Sequence, residues 1–314
     1  MSLPLQSIPG VATVEWVRGR DHAPETPARL LVEVPHGAFG AAEYQRCRGR
    51  LQGALPADLD AFFHVNTDVG AYEIGRAAAL EALEARPTEA ALLIRCQIPR
   101  TFIDTNRNLD GGPPATGAQG GGGGRASVTQ GLPVYITDPS DQATLLDLHA
   151  AYVDLTDRAY AALADADGFA LVPHTYAPRT VGIDRVDHDI VDRLRAAWAP
   201  GVAETWPLRH PVDLITRDGA GARLCPEGAA EELTAAYGAL DIEAAENGTY
   251  WLHPATRAAL LSSRYPGRLL CLELRRDLVV QRWTPLLPLT VDPAAARRLG
   301  APLGACLARL LASG

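Results

Sequence analysis

Short apolar runs alternate along the chain with segments whose apolar residues recur every three or four positions, and this alternation predicts βαβ units. Five runs read as strands: Leu30–Val34, Phe62–Val65, Ala91–Arg95, Phe169–Val172 and Leu269–Leu274. Each is rich in Leu, Val, Ile or Phe and is bounded by polar or turn residues. A helix is predicted from Ser140, an N-cap residue behind Pro139, because Leu145, Leu148, Tyr152, Leu155, Ala159 and Leu163 form one apolar stripe. Gly168 ends it and Phe169 opens the next strand. A second helix is expected at Asp292–Pro293, a cap followed by a first-turn proline, running into an Ala/Leu-rich C-terminus. The expectation is one α/β domain over residues 1–314. The segment 108–131 breaks the pattern: five consecutive glycines, Gly120–Gly124, read as a flexible lid or surface insertion. Arg125 and Ala126 follow them where a phosphate-binding loop needs Lys and Ser or Thr.

Composition narrows the function classes. A net charge of −8 argues against nucleic acid as the main partner, since a polyanion calls for a basic surface. No stretch approaches the roughly 20 apolar residues of a membrane span. MSLPLQSIPGVATVEW lacks the basic region and apolar run of a secretion signal, so a cytoplasmic protein is expected. Cys47, Cys96, Cys225, Cys271 and Cys306 are scattered and odd in number, which suits free thiols in a reducing compartment. The chain has no lysine, so Schiff-base, Walker and serine–lysine chemistries are excluded.

Histidine carries the first positive signal. His36 in LLVEVPHGAFG and His174 in FALVPHTY each follow an apolar run and a Val-Pro, which places both just beyond a strand's C-terminal end. Open α/β sheets bind ligands at that edge. Asp68 in HVNTDVGAYEIG sits at a third such exit, where it could equally cap a helix starting near Ala71. Two imidazoles and a carboxylate are a ligand set that zinc favours, with a fourth position left for water. Glu273, inside the apolar run RLLCLELRRDL, is either a catalytic carboxylate or the partner of Arg275 or Arg276, because a buried glutamate is costly otherwise. Alternation puts Cys271, Glu273 and Arg275 on one side of that strand. In IRCQIPRTFIDTNRNLD, Arg95, Arg100, Asp104, Asn106 and Arg107 crowd around a strand exit. Asp104 could orient one arginine while the others grip a carboxylate, or the group could be a structural ion-pair network.

VPHGAFG, NTDVGAY, RTFIDTNRN, VPHTY and CLELRRDL, in this order, resemble the signatures of the N-formylglutamate amidohydrolase family. GRASVTQGLPVY, ITRDGAG and ENGTYW resemble further segments of it, so the similarity spans residues 30 to 280. The resemblance implies a mixed, mostly parallel sheet between helices, as in zinc carboxypeptidases and bacterial cell-wall amidases (a phosphorylase/hydrolase-like α/β fold). It implies one zinc ion held by His36, Asp68 and His174, with Glu273 as general base and acid. It also makes Arg100 a candidate for polarising the scissile carbonyl, and Asn106 and Arg107 candidates for holding the substrate's carboxylate. Arg179 and Arg275 are further candidates for binding substrate. The implied reaction is hydrolysis of an N-formyl or N-acyl amino acid, with no nucleic-acid or membrane partner and with homo-oligomer formation left open. Two other readings compete: a zinc peptidase or cell-wall-type amidase on the same scaffold, and a small-carboxylate binding protein without catalysis.

Overall fold

The computed structural model describes residues 5–109, 130–183 and 185–313. The glycine run Gly120–Gly124 lies outside the described residues. The strands are β1 (Ala12–Arg18), β2 (Leu30–Val34), β3 (Ala90–Cys96), β4 (Phe169–Tyr176), β5 (Val212–Ile215), β6 (Ala244–Glu246) and β7 (Leu269–Arg275). They form one sheet in the order β1-β3-β2-β4-β7-β5-β6. β3, β2, β4 and β7 are mutually parallel; β1 runs antiparallel to β3 at one edge, and the parallel pair β5–β6 runs antiparallel to β7 at the other. The sheet is mixed, with a parallel centre.

Helices cover both faces. α1 (Ala41–Arg48), α2 (Leu59–Asn66), α4 (Pro139–Asp165), α5 (Ile190–Ala197) and α7 (Arg257–Arg264) pack on the face that presents Leu31, Leu92, Ile94 and Cys271. α3 (Ala71–Ala85), α6 (Ala229–Gly238) and α8 (Pro293–Ser313) cover Leu30, Val32, Leu270, Leu272 and Leu274 on the other. With apolar residues buried from both sides, the central strands read as continuous rather than alternating runs. That is why β2, β3, β4 and β7 are recognisable from sequence.

The structure corrects four details. Phe62–Val65 is no strand but part of α2, where Leu59, Phe62 and Phe63 share a buried helical face and Phe63 packs on Tyr44. A four-residue apolar run fits either element, and here the helical spacing wins. Asp138, not Ser140, caps α4: its carboxylate accepts from Ser140 N and Asp141 N, and Pro139 takes the first-turn position. β4 continues through His174, so that histidine stands inside the strand's last turn of pleat rather than beyond it. Asp68 follows a helix instead of a strand, and the residue before α3 is Gly70, at φ 93°.

Chain order makes the centre of the sheet a place for a site. β2 leads to β3 on one side, and the chain then returns as β4 on β2's other side. The direction of winding therefore reverses between β2 and β4, the switch point at whose C-terminal strand ends open α/β sheets form a ligand crevice. His36 lies just past β2 and His174 on β4, so the two imidazoles flank that crevice. Their rings are 5.0 Å apart.

Candidate metal and catalytic site

His36, Asp68 and His174 converge. One donor atom from each lies within 4.8 Å of the others, and all three residues are buried, at 3%, 4% and 5% exposure. The loop between α2 and α3 brings Asp68 there. Its N–H donates to the His36 carbonyl, and Thr67 beside it donates its hydroxyl to the Ala38 carbonyl. Gly70 is needed in this turn because its backbone is left-handed and Val279 fills the space a Cβ would take. Asp68 Oδ2 lies 3.2 Å from His36 Nδ1 and 2.7 Å from His174 Nδ1, so the carboxylate serves the histidines and not the helix.

A second carboxylate fixes the first histidine. Asp104 Oδ1 lies 2.7 Å from His36 Nε2 and also accepts from Asn106 N, while Oδ2 accepts from Arg100 Nε at 2.9 Å and pairs with Arg107 Nη1 at 3.3 Å. Burial alone would raise the Asp104 carboxyl; Arg100, Arg107 and His36 overcome that and hold it well below the usual carboxylate range. In the tautomer that donates from Nε2 to Asp104, Nδ1 of His36 would be free to bind a cation on the side of Asp68 and His174. Burial likewise pushes Asp68 up, and His36 and His174 reverse the shift to a net lowering. Behind Asp68 stands Arg276, 2% exposed, which donates to the Thr175 and Val65 carbonyls and reaches to 3.9 Å from Asp68 Oδ1.

This donor set fits a divalent cation. Two neutral imidazoles and one carboxylate are the chemistry of a three-ligand zinc site, and an orienting carboxylate behind a ligand histidine is its usual support.

Glu273 faces the same crevice. It pairs with His174 in the β4–β7 register and with Asp213 in the β5–β7 register. Its Oε2 is sealed from solvent and has no hydrogen-bond partner among the described residues. Neither neighbouring arginine neutralises it: Arg275 chelates Asp277 through Nε and Nη2, and Arg276 turns to Thr175 and Val65. Burial pushes the Glu273 carboxyl up to about 7, with Asp68 adding to the rise and His174, Arg209 and Arg100 opposing it. A carboxyl poised near neutrality beside the His–Asp–His set can take and return a proton.

The remaining predicted residues separate into two groups. Arg100, Asn106 and Arg107 stand at the site through Asp104; the Asn106 side-chain carbonyl accepts from Ala258 N, which leaves its amide nitrogen as the donor. Arg179 donates to the Glu204 and Trp206 carbonyls, and Arg275 donates to Asp277 and the Arg209 carbonyl. The fold does not bring these two into contact with the His–Asp–His set. Arg95 pairs with Glu43 and lies over Phe39 and Tyr72, a structural position. Sequence reasoning missed Arg276 as the residue behind Asp68 and Asp104 as the partner of His36. For Asp104 the RTFIDTNRN cluster held the signal; for Arg276 nothing local did.

The sequence profile of the N-formylglutamate amidohydrolase family matches residues 28–280. The fold is similar to a crystal structure of N-formylglutamate amidohydrolase from Ralstonia eutropha, at TM-score 0.56 and 16% identity, covering 97% of this chain and 100% of that one. It is also similar to a gene product of Agrobacterium tumefaciens, at TM-score 0.54 and 15% identity, over 96% of this chain and 95% of that one. At those identities the likeness is one of fold. No curated protein matches the sequence.

Proposed function

The chain belongs to the N-formylglutamate amidohydrolase family, and from that premise we propose that it is a zinc-dependent hydrolase of the amide bond in an N-formyl or N-acyl amino acid. One observation supports the reading above all: a buried His–Asp–His set stands beside a glutamate with a sealed, unpartnered oxygen. A binding protein has no need of such a carboxylate, whose burial costs stability. Residues 1–314 would act as one domain, in a reducing cytoplasmic setting that suits five free, buried cysteines. Among the described residues no helix is long and apolar enough to cross a membrane.

His36 Nδ1, Asp68 and His174 Nδ1 would hold the zinc ion. When bound, zinc polarises the scissile carbonyl and acidifies water. Glu273 then takes a proton from the attacking water and returns it to the departing amine. Arg100, partly exposed and paired with Asp104, meets the oxygen on which negative charge develops in this reading. Asn106 and Arg107 receive the α-carboxylate, which fixes the substrate's reacting carbon relative to Glu273. Asp104 positions both ends of this arrangement, the ligand His36 and the two arginines.

Elemental analysis of the purified protein, followed by an amine-release screen of N-formyl, N-acetyl and peptide substrates with zinc supplied, tests the proposal. About one zinc per chain and release of amine from N-acyl amino acids is the expected result. Turnover of peptides alone would favour a peptidase on this scaffold, and absence of any hydrolysis with zinc bound would overturn the catalytic reading.

A further inference from the structure

Of five arginines carried by the segments around the site, four pair with or approach a carboxylate. Arg100 and Arg107 are paired with Asp104, Arg275 with Asp277, and Arg276 lies near Asp68. Arg209 is different. Its Nε donates to the Thr180 hydroxyl and its Nη1 to the Ala177 carbonyl, while its Nη2 has no hydrogen-bond partner and no carboxylate pairs with it among the described residues. The guanidinium is stacked instead, 4.9 Å from the Tyr176 ring and 5.8 Å from the Tyr250 ring. It is near enough for its charge to bear on both Glu273 and Arg276.

The surroundings hold this cation in place. Tyr176 follows His174 by one pleat of β4, so both side chains leave the same face of the sheet. Its hydroxyl donates to the His210 carbonyl, and Arg209 N donates to the Pro178 carbonyl, which ties the 207–211 segment against the end of β4. Tyr250 is fixed from the other side. Asp213, fully buried on β5, accepts from the backbone N–H groups of Gly248, Thr249 and Tyr250. Three backbone donors on one carboxylate rigidify that loop, and the Tyr250 ring is thereby set 6.3 Å from Tyr176. A stacked guanidinium with a donor edge left over matches a planar carboxylate.

We propose that Arg209, packed against Tyr176 and Tyr250, is a specificity-determining residue that binds an anionic group on the substrate's side chain, on the Glu273 side of the site. The assignment rests on the hydrolase reading only for the substrate's reacting bond. The anion itself is a matter of charge and shape: with one carboxylate at Arg107 and a second at Arg209, the site selects a dicarboxylate over its monoamide. Asp213 acts through the 248–250 loop as a positioning residue for Tyr250.

Two measurements test this on the full chain loaded with zinc. The first is calorimetric titration with glutarate and with its monoamide, which needs no turnover. Wild-type protein should bind glutarate more tightly; Arg209→Gln should weaken glutarate binding by about 10²-fold, the scale of a lost charge partner, with little change for the monoamide. Arg209→Lys, which keeps the charge, should recover part of the preference. The second is kcat/KM for N-formylglutamate against N-formylglutamine, where Arg209→Gln should erase the preference for the acid. Failure of wild type to prefer glutarate, or equal losses on acid and amide in Arg209→Gln, would overturn the assignment. Preserved glutarate selectivity with no turnover of any N-acyl amino acid would instead sink the hydrolase reading and leave Arg209 in its role.

Discussion

Two glutamates stand on central strands of the same sheet, and their surroundings are opposite. Glu33 on β2, 4% exposed, accepts the Tyr152 hydroxyl at 2.9 Å on one oxygen and the Tyr160 hydroxyl at 2.6 Å on the other. Both tyrosines come from α4, so the carboxylate stitches that helix to the sheet. Glu273 on β7 has no comparable partners, and one of its oxygens is enclosed without any. The first glutamate is architecture: its burial is offset by hydrogen bonds formed in the same fold. The second is left with an unpartnered oxygen beside His174, a setting that suits the proton-transfer role proposed for it. Burial alone does not single out a carboxylate for proton transfer; a buried oxygen without partners beside the His–Asp–His set is what carries the proposal for Glu273.

Breaking the ligand set should have the largest effect. His174→Ala removes an imidazole from the buried set, and metal affinity should drop by well over about 10²-fold, since even residues behind a ligand cost roughly 10–100-fold. Equilibrium dialysis against zinc checks this, and retained stoichiometric zinc would remove His174 from the site. Next comes the side proposed to bind the substrate's carboxylate. Arg107→Ala should lower kcat/KM for N-acyl amino acids by roughly 10²-fold while leaving the corresponding amides much less affected. Equal losses on both substrates would make Arg107 a support for Asp104 alone.

The contrast between the two glutamates also has a titration signature. Glu273 in the metal-free protein should titrate at about 7, because burial favours the neutral carboxyl. The sign is that of an acid with a raised folded-state value: ionisation as pH rises through 7 costs the folded state stability, and the cost is relieved as pH falls. A bound divalent cation favours the carboxylate and should move the titration down. Carbon-detected NMR of labelled glutamate follows this directly; absence of a carboxyl titrating near 7, or its persistence in Glu273→Gln, would contradict it. The smallest effect belongs to Glu33. Tyr160→Phe removes one of its donors and should cost about 1–2 kcal/mol in denaturant unfolding with kcat unchanged. A loss of turnover there would mean that α4 transmits strain to the site.

Much of this site was legible because it is built where the chain must be apolar on both sides. His36, His174 and Glu273 sit at the ends of β2, β4 and β7, whose continuous buried runs stand out from the surrounding pattern. The sheet's edges were not legible. β1 is half-exposed, β5 has four residues with a buried aspartate among them, and β6 has three with no apolar signature. Consequently Asp213 and the loop it holds went unrecognised, since their meaning depends on an antiparallel pairing between distant segments. Asp68 was recognised by its company rather than by its local context. The apolar run before it is a helix, and the cap expected of it is absent because its carboxylate turns to two histidines.

The central claim is that Glu273 moves protons and is not a structural anion. Glu273→Gln, loaded with zinc and compared with wild type on N-formylglutamate, tests it most directly. The substitution keeps the side chain's shape and cannot accept a proton. If the claim is right, kcat falls by roughly 10²–10⁴-fold, the range of acid–base assistance, while zinc content and melting temperature stay close to wild type. Normal turnover with a lowered melting temperature would contradict it, and loss of zinc along with activity would show that Glu273 is a ligand instead of the base.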